Sequence, residues 1–238
     1  MKYIDRHKVI GQYTDADGVL KAAALLRYMQ EAAVNAMIAD GPSYDELASR
    51  GLIFVISRIS MSIYADIYAN DEIEVETWAT ESVRASFNRA YRVLRDGAVV
   101  AEAVSVWALV DTSRHRLVRV GEVELAYRED EPPELDIPHK LHLPEGMKLI
   151  GERRVGYSDI DRNRHMNNTV YPDLLFGALP HREGKRLSEL DLLYQKEAPL
   201  GDCLQTFYTA AQEDYFLKTV RSDGEENVRA RIRLTDVK

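Results

Sequence analysis

The chain has 238 residues, with 31 Lys+Arg against 39 Asp+Glu for a formal net charge of −8, 45% hydrophobic and 29% charged residues, and a single cysteine, Cys203. These numbers exclude a disordered chain, an internal disulfide, a multi-thiolate metal site, and nucleic-acid binding through a generally basic surface. No apolar run approaches the ~18 residues of a membrane span. The start, MKYIDRHKVIG, also lacks a secretory signal's apolar stretch, so the expectation is a cytoplasmic α+β protein with no membrane span and no nucleic-acid partner.

In chain order, Leu20 to Ala39 carries Leu25, Met29, Ala32, Ala33 and Ala36 at helical spacing. The segment is apolar on more than one face, which predicts a helix wrapped by sheet. A short second helix is opened by the capping box Ser43-x-x-Glu46 and closed by Gly51. The period then changes to two: Ile59, Met61 and Ile63 alternate with Arg58, Ser60 and Ser62, and Ile73, Val75 and Thr77 with Glu72, Glu74 and Glu76. Phe87–Leu94 and Val99–Val110 read as two more strands joined at Asp96-Gly97, a strong hairpin signal. Pro132, Pro133, Pro138 and Pro144, set among acidic residues, mark a linker over 128–148 between an N-terminal half (1–127) and a C-terminal half (149–238). In the second half a helix is expected from about Asn168 to Leu179, with Pro172 tolerated in its first turn. Strands follow near 187–197, 203–212, 214–222 and 226–235; in the last, Val228, Ala230, Ile232 and Leu234 alternate with Arg229, Arg231 and Arg233.

The halves are related. Tyr13-Thr14-Asp15-Ala16-Asp17 returns as Tyr157-Ser158-Asp159-Ile160-Asp161, an offset of 144, and Val93-Leu94-Arg95-Asp96-Gly97 resembles Val220-Arg221-Ser222-Asp223-Gly224. One long helix followed by an antiparallel meander, twice over, predicts two sheets that each curl around a helix.

The segment Tyr157 to Asn168 concentrates Asp, Asn and His as no other stretch does. If it is locally extended, Asp161, Asn163 and His165 point to one side, because strand side chains repeat every two residues. Asn167 and Asn168 then lie at a helix N-terminus, where free amides and the dipole favour a developing negative charge. Taken singly, each residue has a plain structural reading as a cap or turn-former. At the offset of 144, however, the first half has Val19, Lys21, Ala23 and Ala24 opposite Asn163, His165, Asn167 and Asn168. The turn therefore does not need the histidine or the asparagine pair.

On these residues the chain resembles the acyl-acyl carrier protein thioesterases of bacteria and plant plastids. The resemblance spans nearly the whole chain and rests on Ser158 to Asn168 with Tyr171, on Tyr194-Gln195-Lys196-Glu197, and on Trp107 to Asp111 with Arg114 to Arg116 behind it. It implies a tandem (double) hot-dog fold, two antiparallel sheets each wrapping a long helix. It also implies hydrolysis of acyl-carrier thioesters with release of free fatty acid in fatty acid biosynthesis, and no metal or other cofactor. Asp161, Asn163, His165 and Glu197 match the family's catalytic set. Plant members carry a cysteine directly after that glutamate, where this chain has Ala198, and Cys203 lies five residues further on. The expected chemistry is therefore attack by water, with Glu197 or His165 as general base, Asp161 orienting the imidazole, Asn163 positioning water or carbonyl, and amides near Asn167 and Asn168 forming an oxyanion hole.

The N-terminal half is expected to set chain length, with Leu26, Met29, Val55 and Ile56 as candidate lining. Arg162 and Arg164 are the favoured docking patch for acyl carrier protein, over Arg153/Arg154 and Arg114/His115/Arg116/Arg119. Arg229, Arg231 and Arg233 are expected to balance nearby acids. Two hot-dog units in one chain allow a monomer or a homodimer. The rival readings are an acyl-CoA thioesterase of the same fold and a non-catalytic acyl-binding module.

Overall fold

The structure, a computed structural model, describes residues 2–125, 130, 132–135, 137–180 and 184–236. Residues 128, 129, 131 and 136 of the expected linker lie outside the described residues. The chain divides into two compact units, Met1–Leu20 with Ala24–Ile137, and Lys21–Ala23 with Pro138–Lys238.

Unit 1 contains strand β1 (Tyr3–Lys8), helices α1 (Ala22–Asp40) and α2 (Tyr44–Ser49), and strands β2 (Leu52–Ile63), β3 (Glu72–Val83), β4 (Ser86–Arg95), β5 (Ala98–Asp111) and β6 (Arg116–Val118). Its antiparallel strands run in the order β1-β3-β4-β5-β2, with β6 on β5. Helix α1 buries Ala24, Leu25, Leu26, Tyr28, Met29, Ala32, Ala33 and Ala36, more than one face, as its apolar pattern predicts. The capping box at α2 is formed: Ser43 Oγ accepts from Glu46 N–H and Glu46 Oε2 accepts from Ser43 N–H. Leu47 of α2 then enters a core with Phe87, Leu109, Val118 and Val123, against which Leu52, Phe54 and Trp107 pack. Each fully buried side chain of this kind contributes about 1.5–3 kcal/mol. The β4–β5 hairpin turns on Asp96 (φ 53°) and Gly97 (φ 75°), both left-handed as a two-residue type I′ turn requires.

Unit 2 contains β7 (Lys148–Arg154), α3 (Tyr171–Ala178), β8 (Lys185–Tyr194), β9 (Cys203–Ala211), β10 (Asp214–Val220) and β11 (Glu226–Asp236), its antiparallel strands in the order β8-β11-β10-β9-β7. The helix expected from Asn168 begins as a 3₁₀ turn, Asn168–Val170, and becomes α-helical at Tyr171, with Pro172 in its first turn. In β11 the inward Val228, Ala230 and Ile232 are wholly buried. The outward arginines are neutralised as expected. Arg229 pairs with Glu226 (2.5 Å), Arg231 with Asp191 (2.6 Å) and Glu189 (2.9 Å), and Arg233 with Asp214 (2.8 Å) and Glu189 (2.9 Å). No helix among the described residues is long and apolar enough to cross a membrane.

The two units share a backbone motif whose register differs from that of the sequence match. The 3₁₀ turn Gly11–Tyr13 corresponds to Tyr157–Asp159, and the bridge Thr14↔Leu20 to Ile160↔Met166. Asp15 N–H donates to Val19 O (2.8 Å) where Asp161 N–H donates to His165 O (3.0 Å), and Leu20 N–H to Ile67 O where Met166 N–H donates to Ala198 O. The structural offset is thus 146. The matched letters at 144 are two short motifs that slid past each other, because hydrogen-bond closure, not residue identity, defines the turn.

Candidate active site

Asp161 to His165 is a turn, not the extended run that alternation suggested. Arg164 N–H donates to Asp161 O (3.0 Å), Asn163 N–H to the Asp161 carboxylate Oδ1 (2.8 Å), and Arg164 is left-handed at φ 67°. An Asp side chain that accepts from the amide two residues on is a standard way to start a turn. The reversal carries the chain back so that His165 Nδ1 lies 4.0 Å from Asp161 Oδ1. Side-chain alternation would have grouped these two residues as well; the structure groups them by folding back.

Beyond the turn, Met166 N–H donates to Ala198 O (2.8 Å) and His165 bridges Pro199. That pairing sets His165 beside the segment carrying Glu197, and His165 Nε2 is 3.5 Å from Glu197 Oε1. The imidazole thus has a carboxylate near each nitrogen, at distances of charge contact rather than hydrogen bonding. The side chains of His165 and Asp161 are 12% and 17% exposed and that of Glu197 is 65% exposed, so the row runs from shelter to open water.

A buried polar network fixes the Glu197 arm. Asn227, wholly buried, accepts at its backbone oxygen from Gln195 N–H (2.9 Å) and Lys196 N–H (3.2 Å). Its side-chain amide donates to Tyr171 Oη (3.0 Å) and to Lys196 O, and accepts from Thr219 Oγ1 (2.8 Å). Tyr194 Oη donates to Asn168 O (3.0 Å), and its ring meets the edge of Tyr171 with centroids 5.7 Å apart. Burial pushes the Tyr171 phenol up to about 12 and Tyr194 further up, so both stay neutral. Asn227 is a site-supporting residue that sequence reading missed. Nothing in Glu225-Glu226-Asn227-Val228 marks one polar residue as buried.

The asparagine pair divides. Asn167 is a cap: its Oδ1 accepts from Thr169 N–H (2.9 Å) and Thr169 Oγ1 (2.8 Å), and its own N–H is spent on Asp159 O (2.8 Å). Asn168 opens the 3₁₀ turn. Asn163 stands at the tip of the turn between Arg162 and Arg164, both exposed. Leu26 and Met29 are buried in α1. Val55 and Ile56 are consecutive in β2 and so face opposite sides; alternation puts Ile56 with Phe54 and Leu52, and the four candidate lining residues do not share one surface.

At the structural offset, unit 1 places Asp15, Asp17, Val19, Lys21 and Ala22 opposite Asp161, Asn163, His165, Asn167 and Asn168. This corrects the comparison made at 144. Asp15 makes the same turn bond, to Asp17 N–H (3.0 Å), so that half of Asp161's work is scaffold. Asp66 stands where Glu197 does, one residue before the carbonyl that closes the bridge. The histidine has no counterpart in unit 1.

The acyl-ACP thioesterase N-terminal domain family matches residues 1–126, and the corresponding C-terminal domain family matches residues 145–236. A chloroplastic palmitoyl-acyl carrier protein thioesterase of Gossypium hirsutum is 26% identical over 93% of this chain and 57% of its own length. A protein of the same description from Arabidopsis thaliana is 28% identical over 80% of the chain and 51% of its own length. The chain spans about half the length of these curated relatives. Among solved structures, an acyl-ACP thioesterase from Bacteroides thetaiotaomicron superposes with a TM-score of 0.91 at 20% identity over 98% of both chains. The 12:0-ACP thioesterase from Umbellularia californica superposes at 0.82 and 21%, covering 99% of this chain and 98% of that one. The fold is therefore the double hot-dog, and with both of its domains matched this chain belongs to the acyl-ACP thioesterase family.

Proposed function

We infer that the protein hydrolyses the thioester of acyl-acyl carrier protein and releases free fatty acid in fatty acid biosynthesis. The observation that supports this most directly is an imidazole held between two carboxylates, Asp161 and Glu197, on a turn whose copy in unit 1 lacks the histidine. Water adds to the carbonyl carbon as Glu197 or His165 takes its proton; the C–S bond then breaks, and the thiolate is protonated as it leaves. Glu197 meets solvent and is the better placed to hold the water. His165, sheltered behind it, keeps a proton available, and Asp161 stabilises the imidazolium. Asn163 positions the carbonyl or the water. The oxyanion is assigned to the Asn168 amide, since the Asn167 N–H is already committed to Asp159 O. Ala198 after Glu197 supports attack by water over a cysteine nucleophile.

The C-terminal half is read as catalytic and the N-terminal half as the measure of chain length, with Leu26, Met29 and one of Val55 and Ile56 as the lining candidates and 128–148 the linker. Arg162 and Arg164 are read as meeting the acidic carrier. The single cysteine supports a reducing compartment, and the reading is of a cytoplasmic enzyme.

Thiol release from acyl-carrier substrates of varied chain length, beside His165→Ala, tests the function. Turnover by the wild type with a loss of about 10²–10⁴-fold in the variant is expected. Preferential turnover of acyl-CoA would transfer the activity to that substrate class, and ligand binding without turnover would leave only an acyl-binding module.

A further inference from the structure

The two copies of the turn provide a control inside one chain. With the 146 register for the turn, and Ala198 opposite Ile67 for the segment beside it, four positions change together. Gly11, Ala16, Gly18 and Ala69 in unit 1 become Tyr157, Arg162, Arg164 and Leu200 in unit 2. Backbone closure along the flanking segment is the same in both. Val9 N–H donates to Asp71 O and Asn70 N–H to Val9 O, as Val155 N–H donates to Asp202 O and Gly201 N–H to Val155 O. The motif in unit 1 therefore closes with almost no side chain at these four places, so its closure does not require the large ones of unit 2.

None of the four is sheltered: Tyr157 is 85% exposed, Leu200 is 55% exposed, and both arginines are exposed. They surround the reacting groups in the chain path: Leu200 follows Pro199, which bridges His165, and precedes Gly201, which bonds to Val155 two residues before Tyr157. In unit 1 the corresponding Ala69 N–H bonds directly to Gly18 O (3.2 Å). The charge changes too. The turn Asp15–Val19 holds two acids and no base, whereas Asp161–His165 holds one acid and two arginines, on a chain whose net charge is −8.

We propose that Tyr157, Leu200, Arg162 and Arg164 form one docking surface for an acidic carrier protein, with the tyrosine and leucine as apolar anchors and the arginines as the charged rim. This rests on the thioesterase reading of the adjacent site. An aromatic anchor beside guanidinium groups is the composition that carries most of the energy of protein interfaces. A local basic edge also lets a net acidic enzyme approach an acidic partner, because screening confines exposed charges to about 8 Å at physiological salt. Two anchors and two rim charges fit a transient complex, as turnover requires.

The test converts unit 2 to the unit 1 residues, Tyr157→Gly, Arg162→Ala, Arg164→Gly and Leu200→Ala together, with Leu200→Ala and Arg162→Ala also made singly. Each protein is assayed on the same acyl chain attached to carrier protein, to CoA and to pantetheine. The expected result is a fall of at least about tenfold in the ratio of carrier to pantetheine kcat/KM, with smaller falls in the single variants. An equal fall for carrier and CoA would assign the arginines to the phosphate that both donors share, and would overturn the protein surface. An equal fall on all three, or none, would overturn it as well. A wild type inactive on every thioester would remove the function itself; an active wild type with an unchanged ratio in the variants would remove only the docking surface.

Discussion

Val19 and His165 stand at the same point of the same backbone turn, one in each unit. Each accepts at its carbonyl from the amide of an aspartate four residues earlier, Asp15 (2.8 Å) or Asp161 (3.0 Å), and each bridges a neighbouring segment, at Tyr68 or Pro199. A turn that closes around valine has no structural need of imidazole. His165→Val should therefore leave the midpoint of thermal unfolding within about 2 °C, an effect of under about 0.5 kcal/mol. The same change should lower kcat by at least about 10². Circular dichroism and thiol release read the two effects separately, and a variant with normal kcat would strip His165 of its role.

Asp161 combines a turn bond with a charge beside the imidazole, and asparagine separates the two. Asp161→Asn keeps an oxygen for Asn163 N–H but removes the anion 4.0 Å from Nδ1. The fold should persist while kcat falls about tenfold or more, as loss of imidazolium stabilisation requires. Asp15→Asn makes the same chemical change on the unit 1 turn and should leave kcat at the wild-type value. Parallel rate measurements check the pair, and equal effects from both would mean that Asp161 acts through the turn alone.

Asn227 holds the Glu197 arm from below. Asn227→Ala deprives Lys196 O of a donor and Tyr171 and Thr219 of partners in a wholly buried setting, at about 1–3 kcal/mol for each group left unpaired. A lower urea midpoint is expected, together with a fall in kcat larger than the change in KM, since Glu197 loses its support rather than the substrate its contacts. An unchanged midpoint would mean that these groups find other partners.

The legible parts of this protein were those fixed by local chemistry. The α2 capping box, the Asp96-Gly97 hairpin and the alternation of β11 each follow from residues within a few positions of one another. The grouping of Asp161, His165 and Glu197 came through family resemblance, because it depends on the pairing of Met166 with Ala198, 32 residues away in the chain. The repeat was visible but its register was not. Tyr-x-Asp-x-Asp matches best at 144, whereas the hydrogen bonds that close the turn involve backbone groups that every residue carries. Asn227 was invisible for a similar reason: its importance lies in what surrounds it. Asn167 went the other way, its capping bond to Thr169 being the ordinary role of an asparagine before a helix.

Asp202 should make unit 2 acid-sensitive. Burial pushes its carboxyl up, but hydrogen bonds from Ser222 and Arg221 and from the Ser222 and Cys203 amides outweigh that and hold it below the usual carboxylate range. A depressed folded-state value stabilises the fold at pH above the unfolded carboxylate's, and that stability is lost as pH falls through the folded one. Stability should therefore decline below about pH 4, the region of a free aspartate. Asp202→Asn should be less stable at neutral pH by about 1.5–3 kcal/mol, the range for hydrogen bonds to a charged group. It should also show a shallower decline in acid. Urea titrations of both proteins across pH check this, and parallel curves would assign the acid sensitivity elsewhere.

Arg164 provides the sharpest contrast between stability and use. Its backbone is left-handed at φ 67°, where unit 1 places Gly18 at φ 79°, and its side chain has no ion pair or hydrogen bond among the described residues. A residue with a Cβ loses about 1–2 kcal/mol in that conformation. Glycine would relieve this, offset in part by the 0.5–1 kcal/mol or so of extra freedom that glycine brings to the unfolded chain. Arg164→Gly should therefore raise the thermal midpoint by about 2–4 °C, the shift expected for a gain near 1 kcal/mol in a chain of this size. Arg162→Ala, on the same turn but not left-handed, should not raise it. If Arg164→Gly is more stable yet slower on carrier-bound substrate, the arginine is kept for what it contacts outside the chain, the usual form of a trade between stability and function. A lower midpoint would mean instead that the guanidinium holds the turn, and the exposed cation beside His165 would then have a purely structural explanation.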